Sequence, residues 1–391
     1  MFSGIFARGG AAQQVTPAAW LQAMLDVEAA LARVQSDAGL IPPEAAAVIA
    51  SACDPQRYDV GALAAAGAQS AQPVIPVVQA LRKQVGAEMA GFAHRGATSQ
   101  DVLDSAAMLV AKRALRPILD DARGAAARAA ILARDHAATP ILGRTLLQAA
   151  APTTFGLKAA GWLMGLDRAR GELERVRRDV LAVQLGGAVG TLASYGETGV
   201  QLLDALAQAL ELRAPTLPWH GDRTRPAALA SALGTLAGVA GKVGRDVTLL
   251  AQEEVGEARE EPQPGRGGSS AMPHKQNPVA AISAVACAAR TPGLVATMLA
   301  AMVGEQERSA GAWQAEWETL SDLLRLAGAA TAWARESLEL LRPDEERMRS
   351  NLGAAGQTEA VPAAIPAAVA LVGRALSTHD RLSERRLAEE R

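Results

Sequence analysis

The chain has 391 residues, 49% of them hydrophobic and 20% charged, with a formal net charge of −2. That length buries a large core and exceeds what one compact unit needs, while the near-neutral balance gives no electrostatic footprint for a nucleic acid or an anionic membrane as partner. The two cysteines, Cys53 and Cys287, belong to no CxxC and to no cluster with histidine, which fits a cytoplasmic protein with reduced thiols.

The opening MFSGIFARGGAAQQ lacks a basic stretch followed by an apolar run, so no signal peptide is expected. No window of about 18 consecutive apolar residues is free of charge. Aromatic residues make up only 3% and β-branched alternation is scarce, whereas alanine and leucine abound; the expected fold class is all-α.

Trp20, Met24, Val27, Leu31 and Val34 recur at three- and four-residue steps and predict a first helix, closed by Gly39 and Pro42-Pro43. A second follows Asp101, with Leu103, Ala106, Leu109 and Val110 on one face, and a third runs from Gly156 to Leu185. After a break at 212–226, Leu229, Leu233, Leu236, Val239, Val243, Val247 and Leu250 form a stripe sustained at the helical period. Beyond the loop at 256–278 one helix is expected from Pro278 past Met302, bent near Pro292, and another from Trp313 to about Leu341. Long striped helices with few loops imply a bundle. The expected layout is an N-terminal helical domain over 1–93, a central long-helix bundle domain over 94–343 and a short C-terminal helical domain over 344–391. The stripes exceed what one small bundle needs, so association between subunits is also expected.

Residues 256–278 read GEAREEPQPGRGGSSAMPHKQNP, whose glycines and prolines forbid a continuous helix between two long ones. Removing a proton beside a carboxylate creates a dianionic aci-carboxylate, which needs cations and donors. Lys275 supplies a charge, Asn277 an amide donor, and the glycine-rich backbone its N–H groups. Pro278 suits the first turn of the next helix, whose positive end would add to the field. With its alkoxide so stabilised, Ser269 can move the proton. Read alone, Gly-Ser-Ser is also what a flexible linker looks like. Upstream, His94-Arg95-Gly96-Ala97-Thr98-Ser99-Gln100-Asp101 places the Thr98 and Ser99 hydroxyls at a helix start, suited to a carboxylate or simply to an N-cap. Trp313 and Trp317, four apart, read as packing.

The string from Gly268 to Asn277 resembles the GSxxMPxKxN loop of the fumarase/aspartase superfamily, with Gly268, Ser269, Met272, Pro273, Lys275 and Asn277 all in place. The stretch from His94 to Asp101 resembles its first motif, and Gly143-Arg144-Thr145-Leu146-Leu147-Gln148 its second. The GATSQD form, the surround from His136 to Gly156, and GEQER with GAWQAEW around Arg308 resemble the 3-carboxy-cis,cis-muconate cycloisomerase branch. In many lyases of the superfamily a histidine stands where this chain has Leu146, and leucine moves no proton. The resemblance implies the superfamily's three-domain helical fold with a shortened C-terminal domain, and a homotetramer whose sites are shared between subunits.

It further implies an intramolecular lactonisation of a tricarboxylate in protocatechuate breakdown through the β-ketoadipate pathway, with no metal or organic cofactor. Ser269, Lys275 and Asn277 would be catalytic. Thr98, Ser99, Gln100, Thr145, Gln148 and Arg308 would meet substrate, with Ser270, Met272, His94, His136 and Arg144 nearby. Two alternatives remain open: an adenylosuccinate-type lyase releasing fumarate, and a non-catalytic helical scaffold.

Overall fold

The computed structural model describes residues 2–268, 272 and 275–389, with backbone alone at 385–389. In chain order the helices are α1 (Ser3–Phe6), α2 (Pro17–Asp37), α3 (Pro43–Ala52), α4 (Val60–Gln69), α5 (Val74–Val85), α6 (Ser99–Asp135) and α7 (Phe155–Asp179). Next come α8 (Gly199–Leu210), α9 (Thr224–Leu250), α10 (Val279–Ala289), α11 (Thr291–Ala300), α12 (Ala312–Leu340), α13 (Glu345–Ala354) and α14 (Val361–Glu389). The strands are short: β1 (Pro140–Thr145) pairs antiparallel with β2 (Gln148–Thr154), and β3 (Ala258–Glu260) with β4 (Leu341–Pro343). The fold is all-α in class.

Helices α6, α7, α9, α10 and α12 pack into a bundle. The longest, α6, has 37 residues and spans about 55 Å at 1.5 Å per residue. Its buried face is rich in alanine, with Ala106, Ala111, Ala114, Ala122, Ala125, Ala126 and Ala129 all at 0% exposure, so neighbouring helices close to short range. Gly244 does the same on α9, where a Cβ would lie 2.6 Å from the carbonyl oxygen of Ala281 on α10. The Leu229–Leu250 stripe lies within α9, and six of its seven members are at 5% exposure or less, with Val239 half-buried.

Two expected helices end differently. The segment expected to run to Leu185 leaves helix at Asp179, because the chain past Val180 pairs with Arg213 instead: Val183 N–H donates to Arg213 O (3.0 Å) and Arg213 N–H to Leu181 O (2.9 Å). A short apolar run in the core does not distinguish strand from helix. The helix expected to bend near Pro292 is broken into α10 and α11. Pro292 has no N–H for the carbonyl four residues back, and the Thr291 hydroxyl takes that Ala288 oxygen instead (2.9 Å).

The charged middle of α7 is partly internal: Asp167 and Arg170 are 1% and 2% exposed, and Asp167 accepts from His379 of α14 (2.8 Å), which lays the last helix along α7. Thr224–Leu250, Val279–Ala300 and Thr358–Glu384 are long and apolar enough to cross a bilayer by length and composition. The first two lie in the bundle and in its continuation along α11, whereas the third is mostly exposed.

Candidate active site

The first motif forms a tightly tied corner. His94 has φ +59° and its Nδ1 lies 2.6 Å from Oε1 of Glu28, a carboxylate of α2 at 2% exposure. Burial pulls the His94 pKa down, but Glu28 outweighs it and holds the imidazole above its ordinary value. Gly96, at φ +75°, admits no side chain, since a Cβ would lie 2.6 Å from the Tyr195 ring. Asp101, in the first turn of α6, accepts four hydrogen bonds. They come from the N–H groups of Thr98, Gly186 and Gly187 (2.9 Å each) and from His220 Nε2 (2.8 Å). Thr98 and Ser99 are half-buried beside it, and Gln72 Nε2 donates to the Ser99 hydroxyl (3.1 Å).

Beneath that corner lies a charged network that sequence reasoning missed. Arg223 donates to both oxygens of Asp104 (2.8 and 3.1 Å) and to both of Glu316 (2.9 and 2.5 Å). All three are below 5% exposure. Trp313 Nε1 also donates to Asp104 (3.1 Å), which gives that tryptophan a polar as well as a packing role. Burial works against the Arg223 charge, but Asp104 and Glu316 outweigh it and raise the guanidinium above its ordinary value. Burial pushes the Glu316 carboxyl up, opposed by Arg223. The available signal was Asp104, one turn after Asp101 in the first turns of α6; its partners lie 119 and 209 residues away.

Arg308 belongs to this corner, half-buried just ahead of α12. Its Nε donates to Gln100 Oε1 (2.9 Å) and its Nη2 to Ala188 O (3.3 Å). Gln100, expected at the substrate, is at 0% exposure and meets Arg308 instead.

The second motif sits on the turn of the β1–β2 hairpin. Thr145 pairs with Gln148, both exposed, across the two-residue turn Leu146-Leu147. Both leucines have positive φ (50° and 66°) and are 96% and 73% exposed. Two-residue hairpin turns favour Asn-Gly there, so a Leu-Leu pair is strained and unburied at once. Arg144 is engaged bidentately by Glu257 (2.7 and 3.0 Å), a carboxylate at 0% exposure that also accepts from Asn351 (2.9 Å). His136 caps the end of α6 against Thr139 (3.2 Å), Glu345 (3.3 Å) and the edge of Phe155. Its partners are structural ones at the hairpin's root.

In the third segment, Ser269 and Ser270 lie outside the described residues. Lys275 is exposed, as is Met272 at 43%. Asn277 closes the loop on itself: its N–H and its Nδ2 both donate to Gly267 O (2.8 and 2.9 Å). Gly267 has φ +76°, and a Cβ there would meet Asn277 O at 2.8 Å. Arg266 pairs with Glu336 and lies 5.3 Å from the Trp333 ring. The expectation that the positive end of the following helix adds to the site's field needs correction. Glu260 accepts from Ala280 N (3.1 Å) and Ala281 N (2.8 Å), so a carboxylate already neutralises that end, and Pro278 is the cap residue, outside the first turn.

Within one chain the first set stays apart from the other two. Thr98 and Ser99 begin α6, whereas the hairpin follows its far end, about 55 Å along the axis. Arg308 precedes α12, whereas Arg266 lies against Glu336 in its last turns, about 36 Å farther on. Among the described residues, no group of three or more His, Cys, Asp or Glu is disposed to hold a metal.

A family model described as Lyase matches residues 8–293. The chain is 46% identical over 376 residues to a 3-carboxy-cis,cis-muconate cycloisomerase of Bradyrhizobium diazoefficiens, covering 95% of this chain and 83% of that one. It is 47% identical over 353 residues to a nitrosuccinate lyase of Streptomyces davaonensis, covering 88% and 74%. The crystal structure of 3-carboxy-cis,cis-muconate lactonizing enzyme from Pseudomonas putida superposes with a TM-score of 0.92 at 38% identity, over 98% of this chain and 99% of that one.

Proposed function

The chain belongs to this lyase family, and from that premise we propose that it catalyses the intramolecular lactonisation of 3-carboxy-cis,cis-muconate. One substrate carboxylate adds to a double bond, a C–O bond forms, and the carbon beside another carboxylate takes up a proton. The observation that carries the reading is Leu146 on the exposed hairpin turn, where many lyases of the superfamily have a histidine. An internal carboxylate is already ionised and held close, so its attack needs no separate base.

In this mechanism Ser269 gives the proton to the new carbanion. Lys275 and the remaining Asn277 N–H stabilise the aci-carboxylate, while Thr98, Ser99, Thr145, Gln148 and the end-on edge of Arg308 bind carboxylates. Because the first motif set is separated from the other two within one chain, the complete site is assembled between subunits of a homotetramer. The three domains are those at 1–93, 94–343 and 344–391, and the enzyme works in the cytoplasm, in protocatechuate breakdown.

The test is an ultraviolet assay for loss of the conjugated diene of 3-carboxymuconate; no loss with well-folded protein would sink the reading. A well-folded monomer with full turnover would sink the shared site. The likeness to a nitrosuccinate lyase favours one second reading, elimination from a substituted succinate. Release of fumarate or another unsaturated dicarboxylate from such a substrate, without diene loss, would replace lactonisation by it.

A further inference from the structure

The geometry points to Gln100 as a positioning residue that aims Arg308 from inside the core, a role that rests on the reading of Arg308 as a carboxylate holder. Gln100 is at 0% exposure, so it touches no ligand itself. Its amide has one allowed polarity. The Nε2 end faces two acceptors, Asp104 Oδ2 and His220 O (3.1 Å each), which leaves the carbonyl end to accept from Arg308 Nε (2.9 Å). Asp104 is itself locked by both nitrogens of Arg223 and by Trp313. The chain Glu316–Arg223–Asp104–Gln100–Arg308 therefore runs from a buried ion pair to a half-exposed cation.

The consequence is directional. A guanidinium has five N–H donors on a rigid plane. Gln100 takes the Nε hydrogen and Ala188 O one Nη2 hydrogen, which leaves the Nη1 hydrogens and the second Nη2 hydrogen, the end-on edge, for a ligand. That edge matches a carboxylate bidentately, and an arginine already held loses less freedom on binding.

Replacing Gln100 by Met removes the acceptor while keeping much of the volume. KM for the carboxymuconate is expected to rise about 2- to 10-fold, the scale of immobilising one long side chain, with kcat changing less. In an Arg308→Lys background the same replacement should move KM by less than about twofold, because the group it acts through is gone. Additive effects, or a fall in kcat with KM unchanged, overturn the proposal. Should Gln100→Met fail to fold, Gln100→Glu carries the test. A glutamate there faces Asp104 and a carbonyl and fits only while protonated. Once ionised it also neutralises Arg308, so its KM should rise with pH relative to wild type. A pH profile parallel to wild type overturns the proposal. If wild type turns over no carboxymuconate, the functional reading fails by itself. The same double-mutant cycle is then read on calorimetric affinity for tricarballylate, and a wild type that binds no tricarballylate overturns this proposal too.

Discussion

The two ends of the bundle treat polar side chains in opposite ways. At the start of α6, Asp104, Arg223, Glu316 and Gln100 are buried and tied to one another, and Asp101 is tied to His220 and nearby backbone, so that corner is fixed within a single chain. At the far end, Thr145, Leu146, Leu147 and Gln148 stand out in solvent on a strained turn, and Lys275 is likewise exposed on the third segment. One end holds its geometry by itself. The other presents its groups outward, as expected of parts completed by a second copy and by substrate.

That contrast can be broken at several strengths. The largest effect belongs to the chemistry. Ser269→Ala should cut turnover about 10²–10⁴-fold, the usual worth of a positioned proton donor, with the melting curve unchanged. A near-normal rate would remove Ser269 from its role. Arg223→Met should do the reverse, by leaving Asp104 and Glu316 buried without their cation. A destabilisation of about 3–5 kcal/mol is expected in denaturant titrations. Lys275→Ala, at an exposed position, should lower turnover and leave that titration alone; equal losses of stability in both variants would erase the distinction between the ends.

A smaller change sharpens the hairpin. Leu146→Asn with Leu147→Gly supplies the residues such a turn favours, and should stabilise the fold by about 1–2 kcal/mol while turnover falls. Unchanged turnover would mean that the strained leucines serve nothing at the site.

The smallest effect concerns pH. The His94 pKa is raised in the fold, so the stability from its pairing with Glu28 is fully present below the unfolded value of about 6.5. It is lost as pH rises through the folded value. The melting-temperature gap between wild type and Glu28→Gln should therefore be widest below about pH 6.5 and shrink above it. A gap that is flat with pH would assign Glu28 a packing role only.

Much of this arrangement was legible in the chain, and the failures have physical causes. The stripe of α9 was readable because seven apolar residues keep one period, and Thr98, Thr145 and Lys275 drew notice because they stand in distinctive strings. Their partners were not. Arg223 meets Asp104 across 119 residues and Glu316 across 93, and no local pattern encodes such a meeting. The Glu260 cap on α10 comes from 20 residues upstream, where helix-start rules do not look. The β1–β2 hairpin escaped notice because Leu-Leu is the wrong signature for its turn. Gln100 was grouped with substrate ligands by its place in a motif, and only its burial shows that it faces inward.

The pinch between Gly267 and Asn277 has a further consequence. Gly267 and Asn277 are pinned to each other by two hydrogen bonds, while the first turn of α10 is fixed separately by Glu260. Lengthening a stretch of chain whose ends are pinned together is thermodynamically cheap, about 0.6 kcal/mol for each doubling. The segment can therefore diverge in length and composition while the bundle's register stays put, which makes it a natural module for re-specifying chemistry on an unchanged frame.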